Sequence, residues 1–213
     1  MPSRTSLVPL LITLVAAVPS AADVISYTVP FSFDPTLESS SLDVRLPKFV
    51  GAPDEPVAVG LTIDIRYSYD LTAENRSSVA SPTTPAWVAV DLDISAPGRT
   101  VTPRLYDVLP QHAYTASDGV NGSGTDFHDY GRRQLATRIV TDAPPPLYRG
   151  DGFFTMVITE TFFDPRFIAP LGFTHSIRGR LLEGTVTVTY VTAPAPAAAL
   201  PMGLLALLRR RRR

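Results

Sequence analysis

Strict alternation of apolar and polar side chains along residues 59–73 constrains the fold of this chain more than any other feature. The apolar members are Leu61, Ile63, Ile65, Tyr67, Tyr69 and Leu71, and the polar members are Thr62, Asp64, Arg66, Ser68, Asp70 and Thr72. A two-residue period places all the apolar side chains on one face of a β-strand, whereas a helix would distribute them around its circumference. The pattern predicts a long antiparallel strand with one face in the core and the other in water.

The rest of the chain between residues 23 and 192 repeats this pattern in shorter segments. The further predicted strands are 26–33, 42–46, 88–94, 101–109, 135–140, 153–163 and 185–191. Turn-rich segments separate them at 51–56, 75–85, 97–98 and 143–146, and 111–133 is predicted to be the longest irregular stretch. Because the chain has 21 prolines and no convincing amphipathic helix, we expect an all-β fold, a single antiparallel, jelly-roll-like β-sandwich over residues 23–192.

Residues 1–22 are typical of a secretory signal peptide. Arg4 supplies the positive charge, an apolar segment follows, and Pro19 ends that segment. The small residues after Pro19 predict cleavage between Ala22 and Asp23. A buried N-terminal helix is the alternative interpretation.

Residues 193–213 combine a Pro/Ala lead-in, an apolar run over 197–208 and five terminal arginines. A helix over the apolar run would be about 18 Å long, whereas the hydrocarbon core of a bilayer is about 30 Å thick. We therefore expect a short apolar helix that suits transient retention in the inner membrane, with the arginines on the cytoplasmic side. A disordered basic tail and a nucleic-acid-binding arm are the alternatives.

The tail resembles the C-terminal sorting signals of the PEP-CTERM class, and most closely the variant called VPLPA-CTERM. The residues that carry the resemblance are Ala193, Pro194, Ala195, Pro196 and Ala197, with Arg209, Arg210, Arg211, Arg212 and Arg213. The resemblance implies recognition by an exosortase-type membrane enzyme, removal of the tail, and delivery to the cell surface or extracellular matrix of a Gram-negative bacterium. The predicted leader adds the Sec translocon and signal peptidase as partners.

The charge of the chain changes once these two ends are set aside. The whole sequence has 19 basic and 20 acidic residues. Six of the basic residues but none of the acidic ones lie in 1–22 and 193–213, which leaves a net charge of −7 on residues 23–192. An acidic domain repels phosphate backbones, so we do not expect a nucleic-acid partner. The chain has no cysteine, which excludes disulfides, thiol nucleophiles and thiolate metal sites.

A second resemblance covers most of residues 23–192. It is carried by Ser41-Leu42, the sequence LPKF at 46–49, the sequence ENRSS at 74–78 after the long strand, and the terminal strand TVTVTY at 185–190. These features resemble the choice-of-anchor E domain, a family of exported bacterial proteins that share a β-rich domain and carry alternative C-terminal anchors. The resemblance implies an exported β-rich protein and supplies no catalytic residues.

A glycine-rich loop is the best metal candidate in the sequence. It carries the oxygen-bearing side chains of Asp118, Asn121, Asp126 and Asp129 among several glycines. Calcium binds several oxygen ligands, and glycines allow main-chain carbonyls to turn inward. The spacing matches neither an EF-hand nor RTX nonapeptides, so a solvated loop without metal is the alternative.

Other candidate constellations are weaker. The histidines His112, His128 and His175 show no HxH or HExxH spacing, and each is predicted to be a separate loop residue rather than part of a zinc site. A Ser-His-Asp arrangement has no GxSxG elbow to support it. Glu160 and Asp164 could form a glycosidase pair, but their positions on a strand and its turn predict ordinary surface charges.

Aromatic side chains give the remaining functional alternative. Tyr67 and Tyr69 share a face with aliphatic residues, which predicts core packing, and Tyr130 lies in the irregular stretch. Trp87 starts a strand and points away from Val88, so it is predicted to be the most exposed aromatic residue. The sequence thus favours a noncatalytic exported surface or matrix protein; the alternatives are a carbohydrate-binding module for matrix polysaccharide that uses Trp87, and a hydrolase built on the glycine-rich loop.

Overall fold

The computed structural model describes residues 22–35, 41–50, 56–168 and 172–193. These ranges contain eleven strands and one 3-10 helix over Pro145–Tyr148. The strands are β1 (Val24–Phe33), β2 (Ser41–Pro47), β3 (Pro56–Asn75), β4 (Ser81–Thr84), β5 (Ala86–Ala96), β6 (Arg99–Val101), β7 (Arg104–Val108), β8 (His112–Tyr114), β9 (Phe127–Ala143), β10 (Phe153–Phe167) and β11 (Phe173–Thr192). Residues 1–21 of the predicted signal peptide and residues 194–213 of the predicted sorting tail lie outside the described residues.

The strands form two main antiparallel sheets that enclose one core. The four-stranded sheet has the order β1-β11-β3-β9, and the five-stranded sheet has the order β2-β10-β5-β6, with β7 also paired to β5. The short strands β4 and β8 pair separately. When the short strands β4, β6 and β8 are left out, eight strands remain. One sheet consists of β1, β3, β9 and β11, and the other consists of β2, β5, β7 and β10. This is the arrangement of a jelly roll. The predicted all-β jelly-roll-like sandwich is confirmed.

The alternation in β3 produces its core face as predicted. The inward residues from Val59 to Leu71 are at most 3% exposed, and the outward residues between them are polar. The long strand is thus confirmed, and it pairs with β11 along one edge and with β9 along the other.

The core has two halves of different chemistry. The apolar half is lined by aliphatic and aromatic residues that include Val59, Leu61, Ile63, Ile65, Met156, Ile158, Val186, Val188 and Tyr190. Further along β3 lies the tyrosine–carboxylate cluster, which consists of Tyr67, Tyr69, Asp107, Arg133, Glu160 and Arg180. In this cluster the four-stranded sheet supplies the tyrosines and arginines, and the five-stranded sheet supplies both carboxylates.

Three β-bulges around this cluster reset the alternation of their strands. Thr161 is an extra residue of β10, Tyr130 is an extra residue of β9, and Gly179 and Arg180 of β11 together oppose a single residue of β3. Glu160 faces the core in phase with Ile158, and the bulge at Thr161 then brings Phe163 to the same face. A bulge changes which side chains face inward beyond it, so Phe163 packs against the core where simple alternation would point it outward.

The sandwich has two distinguishable poles. At the proximal pole, Val24 of β1 pairs with Val191 of β11, and the main-chain N–H of Thr192 donates to the carbonyl of Asp23 at 3.0 Å. At the distal pole, Asn75 at the end of β3 pairs with Phe173 at the start of β11. The first and last described strands therefore enter and leave the sandwich side by side.

Several strands differ from the sequence prediction. The segment predicted to be irregular over 111–133 contains β8 and the start of β9, and the predicted loop 75–85 contains β4. The last two long strands of the four-stranded sheet, β9 and β11, begin much earlier than predicted, because bulges and outward charged residues interrupt their apolar alternation. Within the described ranges, no helix is long and apolar enough to cross a bilayer.

Candidate functional sites

The glycine-rich loop lies at the distal pole, where side chains at the end of β3 hold it. The fully buried side chain of Asn75 donates to the carbonyls of Val79 (2.9 Å) and Thr115 (2.7 Å), which ties together the chain on either side of β4 and β8. Its neighbour Glu74 accepts from the main-chain N–H of Gly122 at 3.1 Å. Both residues belong to the ENRSS sequence, so this motif has a physical role: it positions the loop.

The structure brings together two of the four predicted calcium ligands. The main-chain N–H of Asp118 donates to Oδ2 of Asp126 at 3.1 Å, and both carboxylates lie beside Gly124. Asn121 instead lines a groove on the outer face of the four-stranded sheet. Asp129 lies on β9, where its Oδ1 accepts from the N–H of Gly131 at 2.7 Å and stabilises the bulge. The prediction of a shared set is therefore wrong for Asp129, since no group of three acidic or histidine side chains among the described residues could hold a metal ion.

The prediction that each histidine stands alone in a loop is also wrong. His112 on β8 and His128 on β9 stack with their ring centroids 3.8 Å apart, and His175 on β11 stacks against Phe167 at 5.8 Å. Residues 112–114 (HAY) and 128–130 (HDY) share a His-x-Tyr pattern, but that pattern does not predict that the two histidines meet. The described residues contain no group of three His, Cys, Asp or Glu side chains that could hold a metal ion.

An aromatic cluster closes the core at the distal pole. Tyr114 is buried at its centre, where its hydroxyl hydrogen-bonds that of Tyr130 at 2.9 Å and its ring meets Phe173 edge-on at 4.6 Å. Burial, and next the hydrogen bond with Tyr130, raise the pKa of the Tyr114 phenol, so it stays protonated at neutral pH. Burial also lowers the pKa of His128, with a further contribution from the charge of His112. His128 is thus disfavoured from carrying a proton beside His112.

The tyrosine–carboxylate cluster contains the most strongly partnered carboxylates of the core. Glu160 accepts from the Tyr67 hydroxyl at 2.6 Å and from Arg180 at 2.6 Å, and its side chain is only 7% exposed. Asp107 accepts from the Tyr69 hydroxyl at 2.8 Å and from Nε and Nη2 of Arg133 at 2.9 and 2.8 Å.

Glu160 was predicted to be a surface charge, and that prediction is wrong. Asp164 lies on the outer face of the same strand, opposite Ala89, and pairs with Arg166. The two carboxylates therefore face opposite sides of the sheet and do not frame a common substrate, as a glycosidase pair would have to. The phenols of Tyr67 and Tyr69 have pKa values raised by burial first and then by Glu160 and Asp107, which keeps them as hydrogen-bond donors.

A hydrolase built on the glycine-rich loop would need Asp126, His128 and Glu160 to act together, but each of them has a separate structural partner. Asp126 lies in the distal loop against Asp118, His128 stacks on His112, and Glu160 is engaged by Tyr67 and Arg180. The geometry gives no arrangement of nucleophile, base and orienting group among these three residues.

A polar groove of about 770 Å³ lies on the outer face of the four-stranded sheet at the distal pole. Its walls carry both signs of charge, with Asp70 and Glu74 from β3 and Arg178 from β11. Arg132 of β9 holds Asp70 at 2.9 Å and the carbonyl of Gly179 at 2.9 Å. Asp70 is therefore already paired, and the groove presents charged side chains of both signs beside neutral hydroxyl and amide groups.

Trp87 lies on the outer face of the five-stranded sheet, whereas its neighbour Val88 faces the core, as predicted. It pairs in register with Val108 of β7 and Arg166 of β10. The indole is half-buried, whereas Tyr106 is 53% exposed and Phe153 is 65% exposed. The prediction that Trp87 is the most exposed aromatic residue is thus wrong, because neighbouring strands flank it on both sides.

The surroundings of Trp87 nevertheless form an aromatic face. Tyr106 lies one row along β7 on the same side of the sheet, and Phe162, which is 40% exposed, lies one row further on β10. The ion pair between Asp91 and Arg104, at 3.3 Å, borders this face. Aromatic rings beside hydrogen-bonding groups offer both a stacking surface and polar contacts.

Comparison with known proteins adds little to these observations. No model of a known protein family matches this chain, and no curated protein matches it. Among solved structures, the chain is similar to infectious bursal disease virus of the Gx strain, at 13% identity and a TM-score of 0.22, over 98% of this chain and 53% of that chain. It is also similar to T=1 particles derived from infectious bursal virus, at 12% identity and a TM-score of 0.18, over 91% of this chain and 41% of that chain. The chain spans about half the length of these viral chains or less, and likenesses at such TM-scores carry no argument about function.

Proposed function

We propose that this protein is a noncatalytic, exported cell-surface or extracellular-matrix protein, delivered by exosortase-type processing of its C-terminal tail. The observation that carries the proposal is the pairing of β1 with β11 at the proximal pole. The described strands begin at Val24 and end at Thr192. Removal of the predicted leader and of the predicted tail would thus leave every described strand intact.

The side-by-side arrangement of the two ends also suits the order of events in such a pathway. After signal peptidase cleavage at Ala22, the domain would remain held at the membrane by its C-terminal tail alone. Because that tail leaves at the proximal pole, the whole sandwich would extend away from the membrane while the exosortase-type enzyme acts. The partners proposed for this sequence are the Sec translocon, signal peptidase and the exosortase-type enzyme, with transient contact to the inner membrane.

Intact-mass measurement of the protein isolated from its native cells tests this proposal. We expect surface or matrix material to begin at Asp23 and to lack the five terminal arginines. Replacing Arg209–Arg213 with glutamine should leave unprocessed protein in the membrane fraction, and a control replacement of the exposed Arg178 with glutamine should leave processing unchanged. Surface-located protein that retains Arg213 would contradict the proposal.

A second candidate function is carbohydrate binding by the outer face of the five-stranded sheet. The observation that favours it is the placement of Trp87, Tyr106 and Phe162 on one face beside a paired aspartate and arginine. Aromatic rings can stack on the apolar faces of sugar rings, and the polar border can receive hydroxyl hydrogen bonds. Matrix polysaccharide is the substrate class that fits an exported protein.

Glycan-array binding and pull-down with the matrix polysaccharide test this candidate. Trp87→Ala and Tyr106→Ala should each reduce binding at least tenfold if the face is the site. Tyr27→Ala is the matched control, since Tyr27 is 39% exposed on the other sheet. An array without binding, or equal losses in all three variants, would exclude the site.

A further inference from the structure

Two carboxylates converge on one glycine in the distal loop. Oδ2 of Asp118 and Oδ1 of Asp126 both face the position that a Cβ atom on Gly124 would occupy, and the Asp126 oxygen lies 2.9 Å from that position. Gly124 has a φ of +93°, a conformation that favours glycine. A side chain at this residue would occupy the position that the two oxygens face, so only glycine leaves that space free.

One of these two carboxylates is fully buried and only half satisfied. Asp126 is 0% exposed, and its Oδ2 accepts from the N–H of Asp118. Its Oδ1 has no hydrogen-bond partner among the residues that the structure describes. A buried acceptor without a partner costs about 1–3 kcal/mol, and more when it is charged. The facing oxygen of Asp118 adds repulsion between like charges, which a cation bound between the two would convert into attraction.

We propose that the loop between β8 and β9 binds a calcium ion between Asp118 and Asp126. The oxygens that face the space are carboxylate oxygens, which are the ligands that hard cations prefer. Calcium accepts six to eight oxygens in flexible geometry, so main-chain carbonyls of the loop and water can complete its coordination, whereas magnesium demands a near-ideal octahedron. The inference is independent of export, since it rests only on the geometry of the loop.

The number of carboxylates sets the expected affinity. Two acidic ligands are fewer than an EF-hand supplies, and calcium affinity falls with the charge count of the site. We therefore expect a dissociation constant of about 0.1–1 mM, the range of extracellular calcium modules. Because Glu74 and Asn75 tie the loop to the end of β3, bound calcium would stabilise the distal pole against local opening.

Titration calorimetry and thermal melts of the chelator-treated protein test this site. Calcium at about ten times its dissociation constant should raise the melting temperature by about 3–6 °C, and magnesium chloride or sodium chloride at equal ionic strength should not. Asp118→Asn, at an exposed residue, should weaken binding at least tenfold without loss of fold. Asp126→Asn should do the same if that variant folds.

Asp129→Asn is the matched control, because Asp129 lies just beyond the same loop but caps the bulge on β9. It should bind calcium as the wild type does. The absence of heat and of any melting shift up to about 10 mM calcium, well above the expected range, would overturn the site. So would an Asp118→Asn variant with wild-type affinity, or an equal loss in Asp129→Asn.

Discussion

The apolar half of the core and the tyrosine–carboxylate cluster join the same two sheets by different physics. In the apolar half, burial of side chains such as Leu61, Ile158 and Val188 stabilises the contact, and this contribution depends on area rather than on direction. In the cluster, donors from one sheet meet acceptors from the other at 2.6–2.9 Å. Hydrogen bonds of this kind require particular positions. We infer that the apolar half supplies most of the stability and that the cluster fixes how the sheets are aligned.

The largest difference between the halves should appear when a buried charge loses its partner. Glu160→Gln leaves Arg180, whose side chain is 20% exposed, without a carboxylate. We expect a loss of about 3 kcal/mol in the free energy of unfolding, measured by urea denaturation with an unchanged m-value.

Glu183→Gln is the control for that change. Glu183 pairs with Arg66 at 3.6 Å, and both side chains are exposed to solvent, at 38% and 58%. A surface pair of this kind contributes at most about 1 kcal/mol. Equal effects of Glu160→Gln and Glu183→Gln would show that the cluster is not energetically distinct from the surface.

The next largest effect tests how tightly the apolar half is packed. A Cβ atom on Gly184 would lie 2.8 Å from Cζ of Phe31 and would overlap the main-chain carbonyl of Asp64. We expect Gly184→Ala to lower the free energy of unfolding by about 1–3 kcal/mol through overpacking. Gly60→Ala is the control, because no heavy atom of the described part of the chain lies within 4 Å of that Cβ position. If both variants melt alike, the close approach at Gly184 is not maintained in solution.

A smaller effect compares one fully buried tyrosine from each half. The Tyr67 hydroxyl donates to the carboxylate of Glu160 at 2.6 Å, and the Tyr190 hydroxyl donates to the main-chain carbonyl of Pro47 at 2.8 Å. Since hydrogen bonds to charged groups are the stronger ones, Tyr67→Phe should cost about 2 kcal/mol and Tyr190→Phe about 1 kcal/mol. Urea denaturation at pH 7 measures both, and the reverse order would refute the comparison.

The smallest effect depends on pH. Burial raises the pKa of the Tyr190 phenol to about 12, above the value of about 10 expected in the unfolded chain. A raised folded-state pKa contributes stability that is complete below pH 10 and is lost as the pH rises towards 12. The deficit of about 1 kcal/mol in Tyr190→Phe at pH 7 should therefore close by about pH 11. A deficit that persists unchanged at pH 11 would mean that the phenol ionises equally in both states.

The apolar half could be predicted from the sequence because alternation alone determines it. Residues 59–65 of β3 and the inward residues of β10 up to Ile158 face the core as their two-residue period indicates. Local sequence carries this information, since each residue needs only to be apolar and in phase.

The cluster and the distal pole could not be predicted in the same way. Glu160, Asp107 and Arg133 oppose core-facing residues, but alternation gives no reason to bury a charged side chain. The bulges at Thr161 and at Gly179, which change the phase beyond the cluster, depend on partners far along the chain. The contact between His112 and His128 joins two strands that the sequence presents as loop. The Asp118–Asp126 pair was within reach because its residues are close in sequence, whereas the roles of Asn121 and Asp129 depend on the neighbouring sheet.

The separation of the poles has a mechanical consequence. β3 runs from Pro56, beside Thr192, to Asn75, beside Phe173, and twenty extended residues span about 60 Å. In the proposed anchored form, the domain would act as a rigid stalk whose tip carries the glycine-rich loop. Whatever meets that loop would do so about 60 Å beyond the point of attachment, outside the reach of groups at the base of the domain.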